Sequence, residues 1–455
     1  MVILDVSVVN VALPSIQNAL NFSTEGLQWV VTGYALTFGG FLLLGGRVGD
    51  ILGRRKMFMV GLALFVACSL LCGLAWNSTV LVVPRLLQGA ASAILSPSVF
   101  SIVSVTFREG SERNKALGVL GAIAGSGAAI GVILGGVLTE YVGWEWIFFL
   151  NVPIGILAFA LVPMVVRESR ASQLSRDFDA QGATAITASL LLFVYALTRA
   201  PEVGWGAGQT IGMILGSVAL LGLFVAIEIR SKSPLVPMRV FKRRTLTGAN
   251  VLGLILGTSI FGMFFLLSLY MQQVLGFSAL KTGVGYLGIA LTIIVTAGIS
   301  QALVTKLGVK PVLMTGLALL SVGLIYFTQI SPDGSYFVDL FPGFILTGIG
   351  MGFSFIPISI AALSGVEDKQ AGLASGLINM SQQIGGALGL AILITVATSR
   401  ANGLIGAGTP PPVAFTDGFS LAFWVSLGFA VTGFVAAGLV LKGKDLKAVS
   451  AAAPI

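Results

Sequence analysis

Two ionisable residues stand well inside long apolar stretches, Asp5 in LDVSVVNVALP and Arg85 in PRLLQG. A charge at the centre of a bilayer costs roughly 2.5 to 3.5 kcal/mol on insertion scales, so such residues face a cavity or each other. An acid that can take up a proton, set beside a guanidinium that never loses its own, makes a pair with one switchable member. Desolvation favours the protonated acid and a nearby cation favours the carboxylate, so helix movement would alter the proton affinity of Asp5. The same two residues could equally form a permanent structural ion pair. Arg85 shares a helix face with Gln88, Gly89, Ser92 and Ser96, a polar stripe unsuited to lipid. The chain has no histidine, so proton chemistry falls to carboxylates. Glu228 is expected at a helix end, where it reaches water.

Other spacings point to structure as much as to chemistry. Gly46 to Lys56 reads GRVGDILGRRK. Its Gly46, Gly49 and Gly53 allow a tight turn, and Asp50 can bond a basic side chain or cap a helix end. Arg54, Arg55 and Lys56 suit anchoring on the cytoplasmic side. Gly127, Gly131 and Gly135 recur every four residues, with Gly136 next and Gly118, Gly121 and Gly125 before them. That register carves a groove for a neighbouring helix, as static packing or as a moving interface. Asn10, Trp29, Tyr34, Gln88, Asn379 and Gln383, with several phenylalanines, could line an aromatic and polar cavity or simply pack between helices. Cys68 and Cys72 read as small packing residues rather than a metal or redox pair. No clustered carboxylates and no phosphate-cradling loop accompany them, so neither an enzyme nor a cofactor or metal site is expected.

These residues are carried by elements that lipid dictates. The 455 residues are 56% hydrophobic and 10% charged, with a mean hydropathy of +0.98, far from the roughly 25% charge of a soluble domain. A bilayer core about 30 Å thick needs roughly 20 apolar residues per helix. Apolar runs give fourteen spans: 1 to 20, 27 to 46, 57 to 76, 79 to 107, 116 to 138, 147 to 166, 183 to 198, 210 to 228, 246 to 270, 284 to 304, 311 to 329, 338 to 364, 372 to 398 and 419 to 441. The pair at 183 to 198 and 210 to 228 is the weakest, and without it twelve remain. With both termini cytoplasmic, every Lys and Arg falls in an inside loop or tail except Arg199, Lys281, Arg400 and the intramembrane Arg85. The net charge of +8 is thereby topological, and no nucleic-acid partner is implied.

A faint internal repeat relates the halves. Gly46 to Gly61 matches Gln301 to Gly316 with Gly53 on Gly308 and Gly61 on Gly316, and Gly127 and Gly131 correspond to Gly385 and Gly389. The expected organisation is a six-helix bundle at 1–166, a linker with two additional helices at 167–245, and a second six-helix bundle with a short tail at 246–455. Parallel halves of this kind place a substrate site between them near mid-membrane. Along helices 1 and 4, a rise of 1.5 Å per residue puts Asp5 about 14 to 22 Å deep and Arg85 about 9 Å deep, close enough to meet if their helices are neighbours.

At these residues the chain resembles the major facilitator superfamily, in its fourteen-helix drug:proton antiporter branch of EmrB/QacA type, nearly end to end. Leu4 to Pro14 is similar to the first-helix motif, with its acid at Asp5. Gly46, Asp50, Gly53, Arg54 and Arg55 match the loop motif between helices 2 and 3, although Ile51 stands where a basic residue is usual. Arg85, Gln88 and Gly89 resemble the helix 4 motif, whose arginine the family ties to proton transfer. Gly118, Gly127, Gly131, Gly135 and Gly136 fit the antiporter motif of helix 5, with Val132 in place of its proline. LQWVVTGYAL, WEWIFFLNVPIG, PLVPMRVFKRR, YMQQVLGFSALKTG and GLASGLINMSQQIGGALG echo the branch in order. In that branch the first helix begins about a dozen residues before the aspartate, and from Met1 to Pro14 the rise gives only about 20 Å. The resemblance therefore implies an upstream start or a truncation. The sequence runs directly into Val2 to Leu13 without a basic n-region, so a cleavable signal peptide is not expected.

The resemblance implies a cell-membrane exporter, active as a monomer, that moves amphipathic drugs or toxic natural products outward as protons enter. Two halves would rock around a central cavity while the Asp50 loop latches them on the cytoplasmic side. With no carboxylate inside the second-half spans, monocationic or neutral amphipaths fit better than dications. A dedicated exporter of one endogenous metabolite, such as an antibiotic, amino acid or lipid precursor, shares the same fold. A non-transporting membrane sensor would be expected to carry a soluble output domain, and no loop here is long enough to form one.

Overall fold

The structure is a computed structural model that describes residues 1–107, 111–169, 179–231, 234–236, 243–364 and 368–440. Of the basic residues expected in inside loops, Arg108, Arg170, Arg176, Lys232, Arg239, Lys242, Lys442, Lys444 and Lys447 lie outside these. No strand occurs among the described residues. In lipid the backbone must bond to itself, and an apolar chain of this kind does so as helices.

Among the described residues, fourteen helices of at least fifteen residues follow one another. In the first half they are α1 (Val2–Leu20), α2 (Trp29–Leu52), α3 (Arg54–Gly73), α4 (Ser78–Thr106), α5 (Ser111–Tyr141), α6 (Asn151–Val165), α7 (Ala180–Val203) and α8 (Gly208–Arg230). Then come α9 (Arg244–Leu269), α10 (Ala279–Leu307), α11 (Val309–Thr328), α12 (Phe341–Leu363), α13 (Asp368–Gly406) and α14 (Pro411–Val440). Thirteen segments among the described residues are long and apolar enough to cross a membrane, and the Ser126–Tyr141 part of α5 adds a shorter apolar stretch. Each expected span thus has its helix, and the chain is an all-α, multi-pass membrane protein. Polar residues set the boundaries: Asn77 caps α4 by accepting the Val80 N–H at 2.8 Å, Asp179 caps α7 through the Gly182 N–H at 2.7 Å, and Asn21 ends α1 at a φ of 52°. Pro14 lies inside α1, which continues to Leu20.

The turn between α2 and α3 is tighter than the sequence suggests. Both helices run on until a single residue, Gly53 at φ +120°, separates them, and Gly308 at φ +89° stands alone between α10 and α11 in the same way. A side chain is strained in that region, so glycine is required at both positions.

The chain divides into two compact units, Met1–Pro237 and Met238–Ile455. In the first, α1 packs against α5, α2 against α4, α3 against α4 and α6, and α7 against both α8 and α2. In the second, α9 packs against α13, α10 against α12, and α11 against α12 and α14. Apart from those of α7, these are the same pairings displaced by eight helices, so the sequence repeat is a structural one. Equivalent glycines sit at equivalent crossings. A Cβ on Gly61 would meet the Leu95 backbone of α4 at 3.0 Å, and one on Gly316 the Phe353 backbone of α12 at 2.7 Å.

Candidate functional site

The glycine register of α5 determines where α1 lies. A Cβ on Gly131 would meet Ser7 Cβ at 2.7 Å and Leu4 O at 3.2 Å, and one on Gly135 would meet Val8 Cα and O at 2.9 Å. The backbone of α1 therefore seats directly on these two glycines. Leu4, Ser7 and Val8 bracket Asp5, so the groove fixes the height and rotation of the acid. Gly127 has nothing within 4 Å of its would-be Cβ, and Gly136 is buried. The surroundings of Gly118, Gly121 and Gly125 lie outside the described residues, although all three belong to α5. Across the bundle, a Cβ on Gly89 would collide with Tyr34 O and the Thr37 hydroxyl, which brings α2 against the Arg85 turn of α4.

Asp5 and Arg85 meet at the centre of this arrangement. Their exposures are 0% and 1%, and Arg85 Nη1 donates to Asp5 Oδ2 at 2.6 Å. Arg85 Nη1 also donates to Gln88 Oε1 at 2.7 Å, while its Nε donates to the Val30 carbonyl at 2.9 Å. The guanidinium carbon lies 4.5 Å from the Tyr34 ring centroid and 5.7 Å from that of Phe148, both within cation–π range. On the other carboxylate oxygen, Asp5 Oδ1 accepts from Gln88 Nε2 at 3.2 Å and from Asn151 Nδ2 at 3.0 Å. Asn151 Nδ2 donates as well to Ser69 Oγ at 3.1 Å, and Ser69 in turn donates to Phe148 O at 2.9 Å. Tyr34 donates to Ser92 Oγ at 2.8 Å, and Ser92 donates to the Gln88 carbonyl at 2.9 Å. A buried acid and base, each held by several hydrogen-bond partners, satisfy the condition for a charge pair to persist out of water.

Sequence reasoning found Asp5, Arg85, Gln88 and Tyr34 of this network and missed Asn151, Ser69 and Phe148. Asn151 is the one polar side chain in FFLNVPIG, a signal present in the chain but indistinguishable by type from a packing residue. Cys72 also belongs here, with its Sγ 3.9 Å from Gln88 Oε1; both cysteines are free and buried.

The expected gate loop forms a separate cluster. Asp50 Oδ1 accepts from Arg54 Nε at 2.7 Å, and the exposed Glu168 caps the start of α3 by accepting the Arg55 and Lys56 N–H groups at 3.2 and 3.0 Å. Arg55 Nη1 donates to the Val166 carbonyl at 3.3 Å. Gly46 packs on Pro97 of α4, where a Cβ would lie 3.3 Å away. The motif thus grips the chain leaving α6 within its own unit.

The remaining cavity candidates are scattered. Trp29 packs against Tyr195 of α7 with ring centroids 6.3 Å apart. Asn10 is half-buried on α1, one turn beyond Val6. On α13, Asn379 is exposed and donates to its own helix at Ser375 O, whereas Gln383 is half-buried. Glu228 does not reach water as expected. It is 3% exposed, and Oε2 accepts the Val236 N–H at 3.1 Å, because residues 234–236 fold back over the end of α8.

Comparison with known proteins places this geometry in a family. The model of the Major Facilitator Superfamily matches residues 1–390. The chain is 38% identical over 420 residues, 92% of its length and 78% of the other's, to an uncharacterized MFS-type transporter, EfpA of Mycobacterium tuberculosis. It is 37% identical over 434 residues, 95% of its length and 86% of the other's, to the puromycin resistance protein pur8 of Streptomyces alboniger. Among solved structures, a bacterial homolog of the human lysosomal transporter Spinster, inward-facing and unoccupied, superposes with a TM-score of 0.69 at 16% identity, covering 98% of this chain and 95% of that one.

Proposed function

The chain belongs to the Major Facilitator Superfamily, and on that premise we propose that it is a proton-coupled antiporter that exports amphipathic drugs or toxic natural products by alternating access. The observation that carries the reading is the fully buried contact of Asp5 with Arg85 at 2.6 Å. An intramembrane acid paired with a fixed cation is stable as long as the two touch. When a proton neutralises Asp5 the attraction to Arg85 falls away, and the guanidinium is left to Gln88, the Val30 carbonyl and the two aromatic rings. Protonation would thereby free α1 to move on its glycine seat, and that movement is how proton entry would drive the bundles at 1–166 and 246–455 between inward and outward openings. The helix pair within 167–245 would be an addition to that machinery.

In this reading Gly46, Asp50, Gly53, Arg54 and Arg55 form the cytoplasmic gate, and Asn10, Trp29, Tyr34, Gln88, Asn379 and Gln383 contribute to a substrate cavity. Both termini are cytoplasmic, the location is the cell membrane and the monomer is the working unit. The resistance function named for pur8 supports export as the direction. It also favours a second reading, because that relative is named for a single antibiotic: this chain would then export one endogenous compound.

Reconstituted vesicles with an imposed pH gradient, assayed against a panel of unrelated dyes and antibiotics, test both readings. Gradient-driven movement of several unrelated amphipaths supports the first, movement of one compound class supports the second, and no movement coupled to the gradient refutes both.

A further inference from the structure

Asp5 must be held in two protonation states, yet the partners described so far serve only one of them. Arg85 Nη1, Gln88 Nε2 and Asn151 Nδ2 all donate, which suits a carboxylate; a carboxylic acid carries an O–H that needs an acceptor instead. Gln88 cannot supply one, because its Oε1 already accepts from Arg85 at 2.7 Å and lies against Cys72. Val30 O is taken by Arg85 Nε. Asn151 is different: it is 0% exposed, and its Oδ1 has no hydrogen-bond partner among the described residues. The charged and titratable groups that face Asp5 among the described residues are Arg85 on α4, Tyr34 on α2, Cys72 on α3 and the amino group of Met1. The Tyr34 hydroxyl is spent on Ser92. On α5, Gly131 and Gly135 seat Leu4, Ser7 and Val8 around Asp5 and offer no side chain.

We infer that Asn151 is a two-way positioning residue: its amide donates through Nδ2 to ionised Asp5 and, after a half-turn about its terminal torsion, accepts through Oδ1 the O–H of protonated Asp5. The half-turn exchanges Oδ1 and Nδ2 with almost no change of shape, which a planar side-chain amide permits. On protonation the added proton stays on Asp5 and points to Oδ1, while Nδ2 turns away and gives up its bonds to Asp5 and Ser69. Asn151 would therefore stabilise both forms and favour neither, whereas Arg85 discriminates strongly between them. The inference rests on the proton-coupling reading, and it assigns a task to a residue placed at the start of α6 rather than on the helices that carry the acid and the base.

Infrared difference spectra of reconstituted protein, recorded as the medium is acidified, test it. The native protein should show a carboxylic-acid carbonyl band that is missing from Asp5→Asn. In Asn151→Leu, which keeps the bulk but removes both donor and acceptor, that band should move to higher wavenumber because the acid O–H has lost its acceptor. The midpoint of its appearance should move by less than about half a pH unit, since both forms lose one partner. A band at an unchanged position in Asn151→Leu would overturn the inference. So would a midpoint raised by about 1 to 2 pH units, the shift expected if the amide served the carboxylate alone. Asn151→Ala carries the same test should the leucine variant not fold. Absence of any Asp5-dependent band at every pH would instead remove the proton-coupling reading, and the inference with it.

Discussion

Replacing Gly135 with alanine sets a methyl group 2.9 Å from Val8 Cα and O, where ordinary contact begins at 3.4 Å, so the backbone of α1 must retreat by about 0.5 Å. Backbone cannot rotate aside as a side chain tip can, and overpacking of this kind costs about 1 to 3 kcal/mol. Val8 is one turn from Asp5, and a retreat of that size is comparable to the margin that separates the 3.0 Å Asn151–Asp5 bond from the limit of hydrogen bonding. Gly131→Ala meets Ser7 Cβ at 2.7 Å and should behave alike, while Gly127→Ala meets nothing within 4 Å and serves as the internal control. Cys68 and Cys72 are free, buried and the only two cysteines of the chain, so a thiol-reactive fluorophore will label them as the first unit opens. On heating in detergent, Gly135→Ala and Gly131→Ala should label a few degrees below the native protein, and Gly127→Ala at the native temperature. Equal destabilisation at Gly127 and Gly135, or none at Gly135, would refute the seating of α1 on α5.

Unfolding on heating in detergent, followed by the same labelling for the first unit and by helical circular dichroism for the second, addresses four further positions. Gly53→Ala and Gly308→Ala place a side chain at φ +120° and +89°, and each should cost about 1 to 2 kcal/mol, since both turns depend on the same conformation. Arg85→Gln alone leaves a buried carboxylate without its cation and should destabilise by about 3 to 5 kcal/mol; adding Asp5→Asn to it should recover a large part of the loss. Arg400→Gln should change stability by less than about 1 kcal/mol, because its pair with Asp417 is 49% and 44% exposed.

Much of the fold was legible in the sequence because lipid leaves the backbone few choices. Every apolar run became a helix, and the offset that aligned Gly53 with Gly308 reappears as the pairings of α1 with α5 and α9 with α13. Asp5 and Arg85 could be singled out for the same reason, as charges in such segments are too costly to be incidental. What the sequence left unread concerns neutral or terminal residues. Nothing in the type or spacing of Asn151 or Ser69 distinguishes a partner of Asp5 from a polar residue that bonds its own helix, as Asn379 does. Trp29 turns to Tyr195, a choice made by the packing of α7 on α2, which no local pattern encodes. Glu228 was expected in water because it stands near the end of α8. Its burial is decided by residues 234–236 returning over it, a tertiary event invisible to helix counting.

The proposal that Asp5 carries the coupled proton is tested most directly by proteoliposomes in which substrate export and internal pH are followed together under an imposed pH gradient. Asp5→Asn should abolish both the gradient-driven export and the proton influx that accompanies it, while substrate exchange across the membrane without a gradient continues. Export by Asp5→Asn at the native rate, with native proton influx, would contradict the account.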